Sequence, residues 1–558
     1  MIGVIAGSND MLFLYSFFLY LLVHLTIASK RHQYNRPCEQ RWYDEESFVC
    51  VCRENNCDKV EDIGQIECNH AVVYSTDRAQ NRLTKDTVRF ERLKPNNKTV
   101  RARVFPSRQF QKIIGFGGAW TDAAMQIVKQ LSERSPRSHL GQTLFDQYFY
   151  NGSIAYSLGR VPIGTCDFSL GNFSFAPVDQ DFELEHFRLL ELDAVRIENL
   201  RKVFGNLAGE FRLFASPWSP PGWMKNTMKM QGGGVLRGEF NGIYYLTLAR
   251  YYLKYVESRN KFFEAYAKEG VFFWGMTVQN EPSSGLEPFY PFQTCYLSPQ
   301  MQRDFVQHRL GPILRSNWVT KDIKIMAHDD QRDQLYDAAK EIYSKDHSYI
   351  DGLAVHWYSR SSYQPLNQTY HLQPNKFILS SEACNADRPL EHVPLLGSWL
   401  YAENYAHDII QTLLNYGAGW VDWNIWLDTL GGPNWVGNFV DAPIIVNGSG
   451  NEFFKQPMYY VLGHFSKFIR PDSVRIQIKV DGYEGTENDT LEAVAFTTPS
   501  EQFVVVAHNR DEHESVELLV GVDGTNKFVK VELPPKSIRT VIWKDESKAK
   551  CRKKDYQF

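Results

Sequence analysis

Val271-Phe-Phe-Trp-Gly-Met-Thr-Val-Gln-Asn-Glu281 is a nearly unbroken apolar run that closes on three polar residues. A strand with one wet face alternates apolar and polar side chains; a run this continuous suits a strand covered on both faces, the habit of parallel sheets. Seven more runs have the same shape: Lys112 to Asp122, Ala155 to Phe168, Phe211 to Trp218, Ile323 to Asp329, Gly352 to Tyr358, Phe377 to Glu382 and Trp420 to Trp426. Between them lie amphipathic stretches such as Tyr244 to Lys268, with Tyr245, Leu248, Tyr252 and Tyr255 on one helical face. Strands alternating with helices imply parallel pairing, because a parallel connection needs a crossover. Eight such units predict a closed (β/α)8 barrel, a TIM barrel of the α/β class. Gly115-Phe-Gly117-Gly118 lacks the third glycine or the Gly-Lys-Ser/Thr of a phosphate-binding loop and reads as a tight turn, which disfavours a doubly wound nucleotide-binding sheet.

The two ends of the chain read differently. Tyr74 to Arg108 and Val474 to Trp543 carry period-two patterns such as Phe503-Val-Val-Val-Ala-His508, broken by turn residues, so both ends are expected to contribute antiparallel strands to one β-sandwich. The expected organisation is a signal peptide at 1–29, a small antiparallel β module from 38–63 plus 427–457, a β-sandwich from 64–110 plus 473–545, a barrel from 111–426 plus 458–472, and a charged tail at 546–558.

Composition fixes the compartment more than the chemistry. The 558 residues are 43% hydrophobic and 23% charged, as in ordinary globular proteins, and 61 basic against 65 acidic residues give −4, which leaves no cationic surplus for nucleic acid. Met11 to Ile27 is one apolar run, followed by Ala28 and Ser29, and reads as a signal-peptide core; no later stretch is long enough to span a bilayer. Cys38, Cys50, Cys52 and Cys57 crowd behind it, as in a disulfide-stapled module, with zinc ligation by Cys50, Cys52 and Cys57 as the competing reading. Cys68 and Cys551 are left over as a candidate pair. Asn97, Asn151, Asn172, Asn367, Asn447 and Asn488 each begin an Asn-X-Ser/Thr sequon.

Two carboxylates stand out by position. Glu281 and Glu382 each end an apolar run, hence the C-terminal tip of a barrel strand, where barrel active sites lie. Their separation of about 100 residues equals three βα units when a barrel of roughly 250 residues is divided by eight, which places them on strands four and seven, facing across the mouth. Glycoside hydrolysis needs such a pair, one ionised and one protonated.

The chain resembles the animal lysosomal glucosylceramidases (acid β-glucosidases) of glycoside hydrolase family 30. The resemblance runs from Cys38 to about Trp543 and rests on Gly115-Phe-Gly-Gly-Ala-Trp-Thr-Asp122, Arg160-Val-Pro-Ile-Gly-Thr-Cys-Asp-Phe-Ser169, Ala215-Ser-Pro-Trp218, Asn280-Glu-Pro282, Ala354-Val-His-Trp-Tyr358, Ser381-Glu-Ala-Cys384, Asp422-Trp-Asn424, Gly431-Gly-Pro-Asn-Trp435 and Gly463-His-Phe-Ser-Lys-Phe468. It implies Glu281 as general acid/base and Glu382 as nucleophile, with Asp167, Trp218, Asn280, Tyr358, Trp423 and Asn434 around the glucose and Arg160 supporting Glu382. It also implies disulfides Cys38–Cys50 and Cys52–Cys57. No cofactor or metal is called for. The implied reaction is retaining hydrolysis of glucosylceramide to glucose and ceramide at a membrane surface, aided by a saposin-type activator and anionic lipid, in the lysosome lumen after transit of the secretory pathway, with secretion as the other destination. Trp399 and Tyr401 are candidate headgroup contacts near the barrel mouth. Trp120 replaces a Met of the vertebrate members, and Asn385-Ala-Asp-Arg388 and the loops Leu395 to Trp399 and Trp426 to Gly432 also differ, which bears on aglycone preference. The competing functions are another family 30 retaining hydrolase acting on soluble β-glycosides and a catalytically silent glycolipid-binding protein.

Overall fold

Eight parallel strands close into a barrel in sequence order: Gly115–Ala119, Leu158–Ile163, Arg212–Pro217, Gly275–Thr277, Lys324–Gln331, Gly352–His356, Phe377–Glu382 and Gly417–Asn424, the last pairing with the first. This computed structural model describes residues 37–545 apart from 94–98, 208, 241, 254–261, 389–390, 392 and 483–489. The expected signal peptide, Tyr255, the sequons at Asn97 and Asn488, the tail from 546, and Cys551 with its pairing to Cys68 lie outside the described residues.

Each apolar run overlaps one barrel strand, strand five continuing two residues past Asp329 and strand eight starting three before Trp420, and the strands are buried along nearly their whole length. Gly115-Phe-Gly-Gly-Ala119 is strand one rather than a tight turn. The glycines are there because neighbouring backbone comes too close for a side chain: a Cβ on Gly117 would stand 1.8 Å from the Leu158 carbonyl oxygen. Strand four is short, covering only Gly275–Thr277, so Glu281 sits beyond its tip on the following loop. The helical stretch after strand three is described as Ile243–Leu253 and Phe262–Lys268. Trp120 is fully buried, stacked on Phe145 and close to Phe149 and Phe211, so it is a core residue and not part of the mouth.

Both chain ends enter the sandwich. His70–Asp77 pairs antiparallel with Ser537–Lys544, and Val100–Lys112 with Val474–Asp481, in a sheet of ten strands. Val73, Val104, Val505, Val541 and Trp543 belong to its own buried core. A five-stranded sheet in the order Glu39–Trp42, Phe48–Cys52, Glu452–Lys455, Ile444–Asn447, Leu427–Asp428 forms the small module. Disulfides join Cys38 to Cys50 and Cys52 to Cys57, so these sulfurs are oxidised and cannot serve as zinc thiolates.

Pro457–Ser466 is a helix with no polar face, and all of its side chains are buried. It packs against barrel strand one, the small sheet at Glu452–Lys455 and the sandwich at His70–Asp77 and Ser537–Lys544. His464 lies between two threonine hydroxyls, Thr76 at 2.8 Å and Thr540 at 2.7 Å, and burial keeps it neutral.

Two glycine substitutions separate close approach from helix propensity. Gly117→Ala is expected to cost about 3 kcal/mol or more through overpacking against backbone that cannot retreat. Gly205→Ala, in the helix Glu191–Asn206 with open space around it, is expected to add up to about 1 kcal/mol. Thermal or urea unfolding of the purified variants reads both, and equal effects would discard the explanation.

Candidate active site

Strand tips two to seven send side chains to one charged cluster beneath a pocket of about 300 Å³. At its centre is Arg160, on strand two and inaccessible to solvent. Its Nη1 donates to Glu382 Oε2 in a very short contact, its Nη2 to Asn280 Oδ1 at 2.8 Å and Asp329 Oδ2 at 3.0 Å, and its Nε to Ser216 Oγ at 3.0 Å. The guanidinium also lies 4.9 Å from the Trp218 ring centroid and 5.5 Å from that of Trp423. Burial works against its charge, but Asp329 and Glu382 more than compensate and raise its affinity for the proton.

Glu382 closes strand seven with one oxygen on Arg160 and the other accepting from the Tyr358 hydroxyl at 2.7 Å. Glu281 adopts a left-handed conformation at φ 37° and starts the 3₁₀ turn Pro282–Leu286. Its Oε1 accepts from Gln331 Nε2 at 2.8 Å and from His356 Nδ1 at 2.9 Å, while the Tyr290 hydroxyl reaches Oε2 at 3.4 Å. Carboxylate oxygens of Glu281 and Glu382 lie within 4.8 Å of each other.

His356, from strand six, connects the two halves. Its Nε2 lies 3.1 Å from Asp329 Oδ1 and its Nδ1 3.8 Å from Glu382 Oε1. Burial opposes a charged ring, but Glu382, Asp329 and Glu281 push the imidazole up to about 10. An imidazolium donates from both nitrogens, here to Glu281 and Asp329. Glu281, His356 and Glu382 have the spacing that could hold a cation, which would have to compete with the proton on the His356 ring. Asp329, although buried, is held well below the usual carboxylate range by Arg160 and His356, and Ser381 Oγ adds a bond of 2.6 Å.

Asp167 faces this cluster across the pocket. Burial, reinforced by the charges of Glu382 and Glu281, lifts its carboxyl to about 7 against a hydrogen bond of 3.0 Å from Asn438 Nδ2. Trp218 and Trp423 stack at 5.2 Å. Asp167, Trp218, Asn280, Glu281, Tyr358, Glu382 and Trp423 all line the pocket, with Arg160 behind them. Asn434 does not line it: its Nδ2 donates to the Asn438 carbonyl at 3.0 Å and reaches Asp167 Oδ2 at 3.4 Å, and its Oδ1 accepts from Val436 N and Asn438 N, so it stands behind Asp167 and shapes the loop that presents Asn438. Trp399 and Tyr401 are not at the surface either; they are 2% and 6% exposed on the helix Trp399–Leu414. The exposed apolar side chains by the site are Leu286 and Phe289, 63% and 95% exposed, on the segment between Glu281 and Tyr290.

Sequence reasoning passed over His356, Asp329, Gln331, Tyr290 and Asn438. The first two carried a usable signal: Asp329 ends one of the eight apolar runs and His356 lies inside another, so the strand-tip criterion that selected Glu281 and Glu382 applies to them too. Tyr290 and Asn438 come from loops with no periodicity to place them.

Comparison with known proteins agrees with this geometry. Residues 113–469 match the glycosyl hydrolase family 30 TIM-barrel domain and residues 472–541 the family 30 beta sandwich domain. The chain is 36% identical to the lysosomal acid glucosylceramidase of Mus musculus over 515 residues, 91% of this chain and 96% of that one. It is 40% identical to "Putative glucosylceramidase 3" of Caenorhabditis elegans, over 91% of this chain and 95% of that one. Among solved structures, SrfJ from Salmonella typhimurium is similar with a TM-score of 0.73 and 27% identity, covering 86% of this chain and all of that one.

Removing the buried cation should be costly. Arg160→Met leaves Asp329 and Glu382 uncompensated and is expected to lower stability by about 3–5 kcal/mol in chemical unfolding. The pH dependence of stability follows from opposing shifts. Asp167 and Asp441, raised by burial from 3.8 to about 7, and His356, raised from 6.5 to about 10, all favour the folded state at low pH and withdraw that preference as pH rises through their folded values. Glu492 is buried but held low by His407 and His508, so its contribution is present above its ordinary 4.5 and is lost on acidification. Melting temperature should therefore peak at about pH 4 and fall by several degrees toward about pH 7.5, a fall that Asp167→Asn makes shallower. A profile rising up to neutrality would contradict these assignments.

Proposed function

Because the chain belongs to glycosyl hydrolase family 30 and is a glycoside hydrolase, we propose that it is a retaining β-glucosidase that hydrolyses glucosylceramide to glucose and ceramide in sphingolipid catabolism. The observation that carries this reading is the approach of Glu281 and Glu382 oxygens to within 4.8 Å. Retaining enzymes hold their carboxyl groups roughly 5–5.5 Å apart, whereas inverting ones leave about 6.5–9.5 Å for a water molecule.

Glu382, gripped by Arg160 and Tyr358, attacks the anomeric carbon. Glu281 starts protonated and donates to the departing ceramide oxygen; it then acts as base for the water that releases glucose. Two cations, Arg160 and His356, face three carboxyls in Asp329, Glu382 and Glu281. Charge is balanced in that cluster when one carboxyl carries the proton, and Glu281 is the one the reaction requires to carry it. Asp167 is placed to hydrogen-bond sugar hydroxyls, Trp218 and Trp423 to meet the apolar face of the ring, and Asn280, oriented by Arg160, to engage the 2-hydroxyl as positive charge develops. The pocket is the size of one sugar ring, so the ceramide remains outside it.

An acidic lysosomal lumen, reached through the secretory pathway, suits this division of protons. No described helix is long and apolar enough to cross a membrane, so the lipid is met at an interface. Leu286 and Phe289 replace Trp399 and Tyr401 as the side chains placed to enter the headgroup layer. A saposin-type activator and anionic lipid belong to the same reading.

Glu281→Gln should lower kcat on glucosylceramide by about 10²–10⁴, with less loss on an aryl glucoside whose leaving group needs no acid. Glu382→Gln should abolish turnover and covalent labelling by a cyclophellitol epoxide, the wild type being labelled at Glu382. A first-formed α-anomer in a proton NMR time course would end the retaining assignment, and activity rising steadily from about pH 5 to pH 8 would end the acid/base one. Phe289→Ser should raise KM for glucosylceramide in anionic vesicles and leave a soluble glucoside unaffected. Hydrolysis of the soluble glucoside alone would favour a soluble-glycoside hydrolase, and no turnover of either would favour a binding protein.

A further inference from the structure

A second cavity is larger than the one over the carboxylates. It measures about 740 Å³ and opens where the small disulfide-bonded module meets the barrel, lined by Glu54, Lys59, Asp146, Tyr150, Asn151 and Asn206 among others. Three separate pieces of chain form it: the Cys52–Cys57 disulfide loop with Lys59 just after it, the helix Leu140–Phe149 with its exit, and the end of the helix Glu191–Asn206. Its walls mix amide, carboxylate and ammonium groups with the apolar surfaces of Phe149, Tyr150 and Leu207, the combination that recognises a sugar by its hydroxyls and its C–H faces.

Asn151, on the rim, begins Asn151-Gly-Ser153. Among the described sequons it differs in how free its side chain is. The Asn172 amide donates to Gln231. The Asn447 carbonyl accepts from Gly450 N at 3.1 Å and Ser449 Oγ at 3.0 Å. Asn367 is half-buried on the helix Gln364–Leu372. Asn151 is exposed and makes no side-chain hydrogen bond within the described residues. The backbone beneath it is fixed: Gly152 O accepts from Val60 N at 2.8 Å, and Gly152 packs so closely that a Cβ there would lie 3.0 Å from Lys59.

We propose that Asn151 carries an N-linked glycan whose two inner N-acetylglucosamine units occupy this cavity and tie the small module to the barrel. The modification is a transfer from a lipid-diphosphate-linked oligosaccharide. A bond forms between Asn151 Nδ2 and the anomeric carbon of the reducing-end sugar, the bond from that carbon to the phosphate oxygen breaks, the lipid diphosphate leaves with the electron pair, and the amide gives up one proton. The glycan then adds hydrogen-bonding partners to Lys59, and to Asn206 and Asp146 beyond the bonds they make with Lys202 O and Gln142 Nε2, each at 2.9 Å. This seat is remote from the proposed active site and is independent of the proposed reaction.

The test uses the full chain secreted from an animal cell line. Peptide mapping after peptide-N-glycosidase treatment is expected to convert Asn151 to Asp, which marks an occupied site. An endoglycosidase that cuts between the two inner sugars should leave the Asn151 glycan intact on folded protein and remove it after denaturation. In Asn151→Gln, amide hydrogen exchange across residues 52–60 should speed up about fivefold, the equivalent of one ordinary hydrogen bond lost, with kcat on a soluble glucoside unchanged. An unmodified Asn151 overturns the proposal. So does a glycan trimmed equally fast before and after denaturation, or exchange in 52–60 that does not respond; trimming on the wild type needs no variant to fold.

Discussion

A guanidinium beyond the reach of water must find partners for its N–H donors and a counter-charge for its positive one, and a chain can bury it only by supplying both from fixed positions. Arg160 sets that requirement at the upper end of the barrel. It projects from strand two and is answered by Ser216 on strand three, Asn280 past strand four, Asp329 on strand five and Glu382 on strand seven. His356 brings in strand six and the loop carrying Glu281. The register of six strands is thereby read out at one cluster of charge. The backbone bends to meet it: Glu281, His328 and Asp329 all have positive φ, at 37°, 74° and 51°, a conformation that side-chain-bearing residues hold only where surrounding contacts dictate it.

The same cluster explains why two chemically identical side chains differ in their circumstances. Glu382 is enclosed between a fixed cation and a phenol, whereas Glu281 has neutral amide and phenol partners beside a shared imidazolium. Asp167, across the pocket, has amide donors and, among the described residues, no cation within hydrogen-bonding distance, and burial keeps it largely protonated in mild acid. In the proposed reaction, sugar recognition and bond cleavage draw on carboxyls that the fold has sorted by their neighbours.

The barrel was legible because its evidence is periodic: burial on both faces of a strand demands an apolar run, and eight runs are visible without any knowledge of their packing. The strand-tip argument then singled out Glu281 and Glu382, which the structure brings together at one pocket. What escaped was decided by contacts distant in sequence. Asn434 and Asn438 lie on one loop with the same residue type and both reach Asp167, and only the turn that brings Asn438 to the pocket wall while Asn434 also bonds back to the loop backbone distinguishes them. Trp399 and Tyr401 look like surface aromatics near a mouth, yet they begin a helix that faces inward. The glycine run of strand one resembled a turn because tight backbone packing and tight turning call for the same residue, and only the position of Leu158 separates the two causes.

The helix Pro457–Ser466 is the chain's return path from the small sheet to the sandwich, and it is buried on every side. Lifted out of its groove, it would expose aromatic and aliphatic surface to water and uncover the flank of the barrel's opening strand. The accessory sheets are therefore not ornaments that a shorter ancestral or engineered version could discard while keeping a working barrel. Any excision that stops at the eighth strand removes the wedge that three sheets share, and the catalytic fold is inheritable only together with its companions.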